Sequence, residues 1–229
     1  MTEPVAIGTA VVAFIEPHPG QAAAFNRWYE GDHFYAAVTA GPGVFSGGRW
    51  VATRACKAAR PPGRLLGDPA RGSYLTTAWV LDGMQAEWDE WVAGQMRVIT
   101  EQGRLFPGRD HVHTAVYRTL SVRGPATYAL DRCYPGLVAV ATRAPAAEVA
   151  AFCAALGLPA VVSLAPERVV LSEAQPGDHL LVLGFVEDAD VLGAWRDRVE
   201  PALASLPPAT FASPFLRTVP GTDTYTDDV

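Results

Sequence analysis

Residues 25 to 34, FNRWYEGDHF, set aromatic, acidic and imidazole groups into a stretch with helical spacing. Positions four apart are neighbours on a helix, so Phe25, Tyr29 and His33 share one face that runs on towards Ala36 and Ala37. Trp28 and Asp32 form the adjoining row. An imidazole on or beside the buried stripe has a pKa that burial, a carboxylate or a phenol moves across neutrality, as general acid/base work requires. Asp32 is placed to orient that ring or to act by itself, and Tyr29 to donate to a developing oxyanion. A histidine on a helix face is more commonly a satisfied structural residue, and Trp28 an ordinary core residue, so both readings stand on these ten residues alone.

Two strands carry further candidates. In DHVHTAVYRT, residues 110 to 119, alternation puts His111, His113, Ala115 and Tyr117 on one face. No third ligand of suitable spacing accompanies the two histidines, so no metal site is expected and they are read as pocket-lining hydrogen-bonding groups near His33. Around 45 to 51, Ser46, Gly48 and Trp50 share one face and Phe45, Gly47, Arg49 and Val51 the other, with the glycine pair opening space on both sides. Trp79, Trp88 and Trp91 have burial spacing. Stacking of Trp50 or Trp79 on a planar substrate is the functional alternative, beside Trp28 and Arg49 as further substrate-binding candidates.

Positioning these groups falls to a repeated order of elements. Apolar runs bounded by Gly and Pro predict strands at 7–15, 44–54, 73–81 and 111–120, with helices at 20–40 and 84–102. The order βαββαβ then recurs: strand 137–142, helix 146–156, strand 160–165, strand 179–186, helix 188–204 and a short strand near 215–219. The fold class expected is α+β, two ferredoxin-like units fused in one chain. Each antiparallel sheet leaves one apolar face without a helix, and the two faces must meet, as an α/β-barrel-like pseudo-dimer. The first unit is placed at 1–122, a linker at 123–136, the second unit at 137–220 and a flexible polar tail at 221–229. The long connection 56–72 is either a tolerated surface insertion or a lid.

The run FNRWYEGDHFYAAVTAGPGVFSGGRWVA, residues 25–52, resembles the start of dimeric α/β-barrel proteins, in particular the EthD-like branch, through Trp28, Tyr29, Asp32, His33, Pro42, Gly43 and Arg49. The resemblance implies a pocket between helices and sheet, or within the barrel, for hydrophobic, often aromatic or polyketide-like molecules. Relatives in that superfamily include polyketide cyclases, dehydratases, lactone isomerases and cofactor-free monooxygenases, and others bind haem. It also implies an acid/base role for His33. The second half departs from the pattern: APAAEVAAFCAALGLPAVV, 144–162, has no Trp, Tyr or His in its helix, so one polar pocket per chain is expected.

Composition narrows the classes. With 49% hydrophobic residues and a net charge of −6, the chain is folded and lacks the basic surface that nucleic-acid binding needs. Lys57 is the single lysine, and the arginines are not clustered as phosphate readers would be. No membrane-spanning run or secretory signal is recognised, and Cys56, Cys133 and Cys153 suggest neither disulfides nor zinc, so a reducing cytoplasm is expected. Nucleotide-binding loops and hydrolase motifs are missing from the sequence. The reading is a cofactor-independent acid/base enzyme of cyclase, dehydratase or isomerase type, with a hydrophobic small-molecule substrate. His33, Asp32 and Tyr29 are its catalytic residues. The alternatives are a cofactor-free monooxygenase, a non-catalytic carrier, and a haem protein with His33 or His111 as axial ligand. The chain is expected to be a monomeric pseudo-dimer or a homodimer.

Overall fold

The computed structural model describes residues 6–64, 66–124, 130, 134–174, 177–207 and 211–229. The first half runs β1 (Ile7–Pro17), α1 (Ala22–Trp28), β2 (Val44–Val51), α2 (Arg54–Ala58), β3 (Tyr74–Leu81), α3 (Gln85–Glu101) and β4 (Arg109–Arg123). The second runs β5 (Gly136–Thr142), α4 (Ala146–Ala155), β6 (Ala160–Ser172), β7 (Leu180–Val186), α5 (Val191–Ala194), α6 (Glu200–Leu203) and β8 (Phe211–Arg217). The expected linker falls largely outside the described residues, as does Cys133.

The eight strands close into one barrel in the order β1-β3-β2-β8-β5-β7-β6-β4. Each half contributes four antiparallel strands in the same internal order, and the halves join at two seams. At one, β4 and β6 pair from His113↔Ser172 to Arg123↔Val161. At the other, β2 and β8 pair only at Trp50↔Arg217 and Val51↔Leu216. Closure removes the sheet edges that two separate four-stranded sheets would expose.

Alternation along the strands divides the protein into three packed layers. The barrel interior holds Phe14, Trp50, Trp79, Phe185 and Phe215, all at most 1% exposed. Phe185 sits 6.1 Å from the ring of Trp50 and 6.3 Å from that of Trp79. Outside, α4 to α6 cover the second half, while α1 and its extension pack Phe25 and Tyr29 on Ile15, Val51 and Tyr74. The expected insertion or lid at 56–72 folds over the interior rings. Leu66 is 2% exposed in the barrel core, and Arg60 Nε donates to Ser213 Oγ at 2.9 Å with its guanidinium over Phe211 and Phe215.

Beyond Trp28 the first helix widens into two π-helical segments, Tyr29–His33 and Tyr35–Thr39. It packs closely on the sheet, since a Cβ on Gly47 would lie 3.2 Å from the Phe34 ring. The following turn meets α3: a Cβ at Gly41 would stand 2.6 Å from Trp88, so only glycine fits. Residues 221–229, expected to be a loose tail, fold back along this helix and α2. Asn26 Nδ2 donates to Thr222 O at 2.9 Å, the amide of Arg54 donates to Asp228 O at 2.7 Å, and Thr226 is 7% exposed. Backbone carbonyls make these bonds, which is why a polar sequence is ordered there.

One expectation about faces fails for a geometric reason. Phe14 pairs with His113 but Ile15 pairs with His111, so β4 carries Val112 as an extra residue at a β-bulge. Phe14 points into the barrel and Ile15 out, and the bulge sends His113 inward and His111 outward. Inside, His113 joins a fully hydrogen-bonded chain. His179 Nδ1–H donates to Gly177 O at 3.0 Å, so its Nε2 accepts from the Tyr117 hydroxyl at 2.9 Å. The Tyr117 oxygen in turn accepts from His113 Nε2–H at 2.8 Å, and His113 Nδ1 accepts from Ser172 Oγ at 3.0 Å.

Burial, followed by the neighbouring His179, holds His113 down to about 4, and burial also lowers His179. Both rings are neutral when folded, whereas an unfolded histidine titrates near 6.5. A pKa depressed by folding gives stability that is complete above about pH 6.5 and is lost as pH falls towards 4. The completely buried His113 alone is expected to remove about 2 kcal/mol by pH 5. Urea denaturation at pH 7.5 and pH 5 checks this; equal unfolding free energies would mean that the network does not hold neutral imidazoles.

Candidate active site

A cavity of about 580 Å³ lies between the first-half helices and the outer faces of β1, β3 and β4. Its walls are mostly apolar: Val11 and Ala13 from β1, Ala37 and Val38 beyond α1, Val92, Ala93 and Met96 from α3. Val170 and Leu171 of β6 close one side, so the second half supplies a wall. Arg168 of β6 reaches across to α3, donating to Asp89 Oδ1 at 2.6 Å. Into this space project Tyr29, His33, Thr76, Arg109, His111 and Thr114.

His33 is 8% exposed and stacks on Trp28 with ring centroids 4.4 Å apart and planes inclined by 22°. Its Nδ1 is sealed without a partner, which leaves Nε2 as the nitrogen that meets a ligand. Burial, then the charge of Arg109, depresses the imidazole to about 4, so it is an unprotonated base at neutral pH. His111 is likewise held at about 4 by burial and Arg109, and its Nδ1 is hydrogen-bonded to Thr114 Oγ1 at 2.9 Å. Tyr29 is buried and hydrogen-bonded to Thr76. Burial raises its phenol above the ordinary value, so it stays protonated.

Arg109 stacks over Trp28, its guanidinium carbon 4.5 Å from the ring centroid, and bonds the carbonyl of Phe106. Burial lowers its pKa and Tyr29 is the one group that raises it, with no carboxylate partner among the described residues. The cavity is therefore lined by Arg109, without a carboxylate partner among the described residues, by two neutral imidazoles and a neutral phenol, and by the mutually paired charges of Arg168 and Asp89.

The nine residues singled out in the sequence separate. Tyr29, His33 and His111 line the cavity together, and Trp28 lies behind His33, held by its Nε1–H to Arg104 O at 2.7 Å. Asp32 makes no hydrogen bond to His33 and is held instead in a two-pronged ion pair with Arg104, which keeps its carboxyl below the usual range, while its charge acts on His33 only through space. By gripping the residue whose carbonyl holds Trp28, Asp32 positions the platform under His33. Arg49 is on the opposite flank of the helix, above the Tyr29 ring at 4.6 Å. Trp50, Trp79 and His113 face the barrel interior and do not reach the cavity, the tryptophans by strand alternation and His113 through the bulge.

Arg109 and Thr76 were not anticipated. Arg109 stands two residues before His111 on the same strand, and alternation carried back from His111 selects it. Thr76 has no such local signal. Among the described residues no cluster of three or more His, Cys, Asp or Glu side chains is arranged to hold a metal ion, and no helix is long and apolar enough to cross a membrane.

No protein-family model matches the chain, and no curated protein matches it by sequence. Its structure is similar to that of an anthrone oxidase-like protein, with 10% identity, 94% of this chain and 95% of that chain covered, and a TM-score of 0.56. It is also similar to a variant of Rhodococcus jostii RHA1 DypB in complex with heme, with 11% identity, coverage of 100% and 97%, and a TM-score of 0.55. Together with the closed ring of strands, these likenesses show that the chain has the dimeric α/β-barrel fold, with the two ferredoxin-like halves joined in one polypeptide.

Proposed function

We propose that this chain is an enzyme that moves protons, without a bound cofactor, on a hydrophobic aromatic or polyketide-like small molecule in a reducing cytoplasm. The observation that carries the reading is the sharing of one mostly apolar cavity by the neutral imidazole of His33 and the guanidinium of Arg109, which has no counter-ion among the described residues. His33 Nε2 takes a proton from an acidic C–H or O–H of the substrate. The electron pair stays on the substrate as an enolate or phenolate, and Arg109 balances that charge in surroundings of low dielectric. The imidazolium then gives the proton to a different atom, so the net change is isomerisation, cyclisation or, where a hydroxyl is protonated and leaves as water, dehydration. A base with a pKa of about 4 is weak, so the substrate is an acidic ketone or phenol whose anion is delocalised. Tyr29 supplies a neutral donor. The buried free thiols of Cys56 and Cys153 support the choice of compartment.

The structural likeness to an anthrone oxidase-like protein favours a second reading, a cofactor-free monooxygenase, in which the same enolate reacts with dioxygen instead of being reprotonated. An oxygen electrode separates the two: proton transfer alone consumes none, and monooxygenation consumes one O2 per product.

The test is turnover on hydroxyanthrone and poly-β-ketone substrates. His33→Ala is expected to lose about 10²–10⁴-fold in kcat with an unchanged fold, the usual range for general acid/base catalysis. Arg109→Met is expected to lose about 10²-fold or more, as removal of a charge-stabilising donor does. Wild-type turnover in His33→Ala removes His33 from the mechanism, and a Soret band on adding haemin that His111→Ala abolishes replaces the reading by a haem site. Because the base titrates at about 4, kcat/KM is expected to stay level from pH 8 to 6 and to fall only as pH approaches 4. A fall centred near 6.5 shows that an ordinary histidine is responsible.

A further inference from the structure

The other flank of the site helix borders a second cleft, of about 770 Å³, in which Glu30, Gly31, Phe34 and Tyr35 face Gly47 and Arg49. Arg49 borders this cleft, but its charge is turned into the protein. The side chain is 4% exposed, and Nε and Nη2 are sealed from solvent without a hydrogen-bond acceptor among the described residues. Around them stand the rings of Phe25, Tyr29 and Tyr74, at 5.7, 4.6 and 5.4 Å from the guanidinium carbon. Nη1 carries the polar bonds, donating to Asn26 Oδ1 and Glu30 Oε1, both at 2.8 Å.

A buried guanidinium is a poor packing device. Its removal from water is unfavourable, one carboxylate and one amide offset that only in part, and an apolar chain of similar volume fills the space as well or better. What the charge supplies is a field. Tyr29 is the nearest of the three rings and the one that also lines the proton-transfer cavity. Burial disfavours the ionised phenol, whereas a positive charge at this range, in surroundings of low dielectric, favours it. At Tyr29 burial is the larger effect, and the hydrogen bond to Thr76 and the charges of Arg49 and Arg109 act against it. The titratable and charged groups around Tyr29 and Arg49 are Tyr74 of β3, Arg109 of β4, and Glu30 and His33 on the site helix itself. His33 is neutral, and Glu30 offsets part of the Arg49 charge.

We propose that Arg49 is a positioning residue for the proton-transfer reaction: it stays outside the cavity, holds the Tyr29 ring in the cavity wall, and strengthens the Tyr29 hydroxyl as a hydrogen-bond donor to the substrate oxyanion. This role rests on the acid/base reading of that cavity, because donor strength matters to an enolate or phenolate. Glu30 sets how much of the charge is left. Its Oε2 accepts from the Gly221 amide at 2.8 Å, so the C-terminal tail holds the carboxylate in place.

The experiment reads Tyr29 by itself, without substrate or turnover. The full chain is made with a difluorotyrosine at position 29, a phenol that ionises near neutral pH, and its ionisation is followed by fluorine NMR. Arg49→Met is expected to move the midpoint up by about one pH unit or more, the usual consequence of removing an opposite charge at this range. Arg49→Lys, which keeps the charge, is expected to reverse most of that shift. Glu30→Gln leaves Arg49 in place and removes its counter-charge, so the midpoint is expected to move down. The opposite signs decide the matter, because loosened packing admits water and moves both midpoints down. The proposal is overturned if Arg49→Met leaves the midpoint unchanged or lowers it, if Arg49→Lys behaves as Arg49→Met, or if Glu30→Gln shifts it up or not at all. The last criterion stands even where Arg49→Met does not fold. Loss of the His33→Ala effect on turnover removes the reaction and leaves these shifts, whereas absence of the shifts removes this role and leaves the reaction.

Discussion

The interior of the closed barrel is filled by its own aromatic side chains, and that constraint decides where anything else can bind. Trp50, Trp79, Phe185, Phe14 and Phe215 occupy the axis fully buried, and Arg60 and Leu66 of the connection after β2 close over them. Space for a ligand remains in the outer layer, between the sheet and the helices that cover it. There each strand presents its alternate residues, and the small side chains of Ala13, Ala37 and Ala93 leave a slot between sheet and helices. The π-helical widening after Trp28 falls in this layer, and the cavities on its two flanks share Tyr29 and Arg49 as a boundary. π-helical turns frequently occur at functional sites, where the wider turn re-aims side chains.

The two halves have the same topology and different chemistry. In the first, α1 and its extension carry rings and an imidazole. In the second, α4 buries Val149, Phe152 and Cys153 in a helix otherwise made largely of alanine. Its role in the site is architectural: the extended end of β6 runs past the barrel and walls the cavity with Val170 and Leu171. Fusion makes this division of labour available, because two identical subunits would have to carry the same helix twice.

Much of the architecture was legible because its signals are periodic. Apolar alternation and the repeated βαββαβ order gave both sheets, and the need to bury two bare sheet faces gave the barrel. His33 and Tyr29 were legible as neighbours on one helix face. What escaped prediction has local causes that periodicity does not encode. The bulge at Val112 reverses the facing of the strand from there back to its start, so His111 and His113, equivalent under strict alternation, end on opposite sides of the wall. Asp32 adjoins His33 in sequence, but its partner Arg104 comes from the segment after α3, which nothing in residues 25–34 reveals. The tail reads as loose from its polar, acidic composition, and the bonds that tie it to the first half run through its carbonyls, the Gly221 amide and Asp223, none of which composition encodes.

Those tail bonds bear on how the polypeptide can be divided. Residues from 218 onward return from the second half to the first: the Gly221 amide donates to Glu30 at 2.8 Å, Arg27 pairs with Asp223, and the Arg54 amide bonds Asp228. The two halves are thus ferredoxin-like units by topology but not separable modules. A gene cut at the connection between them would yield a first fragment lacking the strap that lies along its site helix, and a second fragment ending in a strap with nothing to hold. The repeat visible in the order of elements is thus tied together from both ends, by the barrel seams and by this strap.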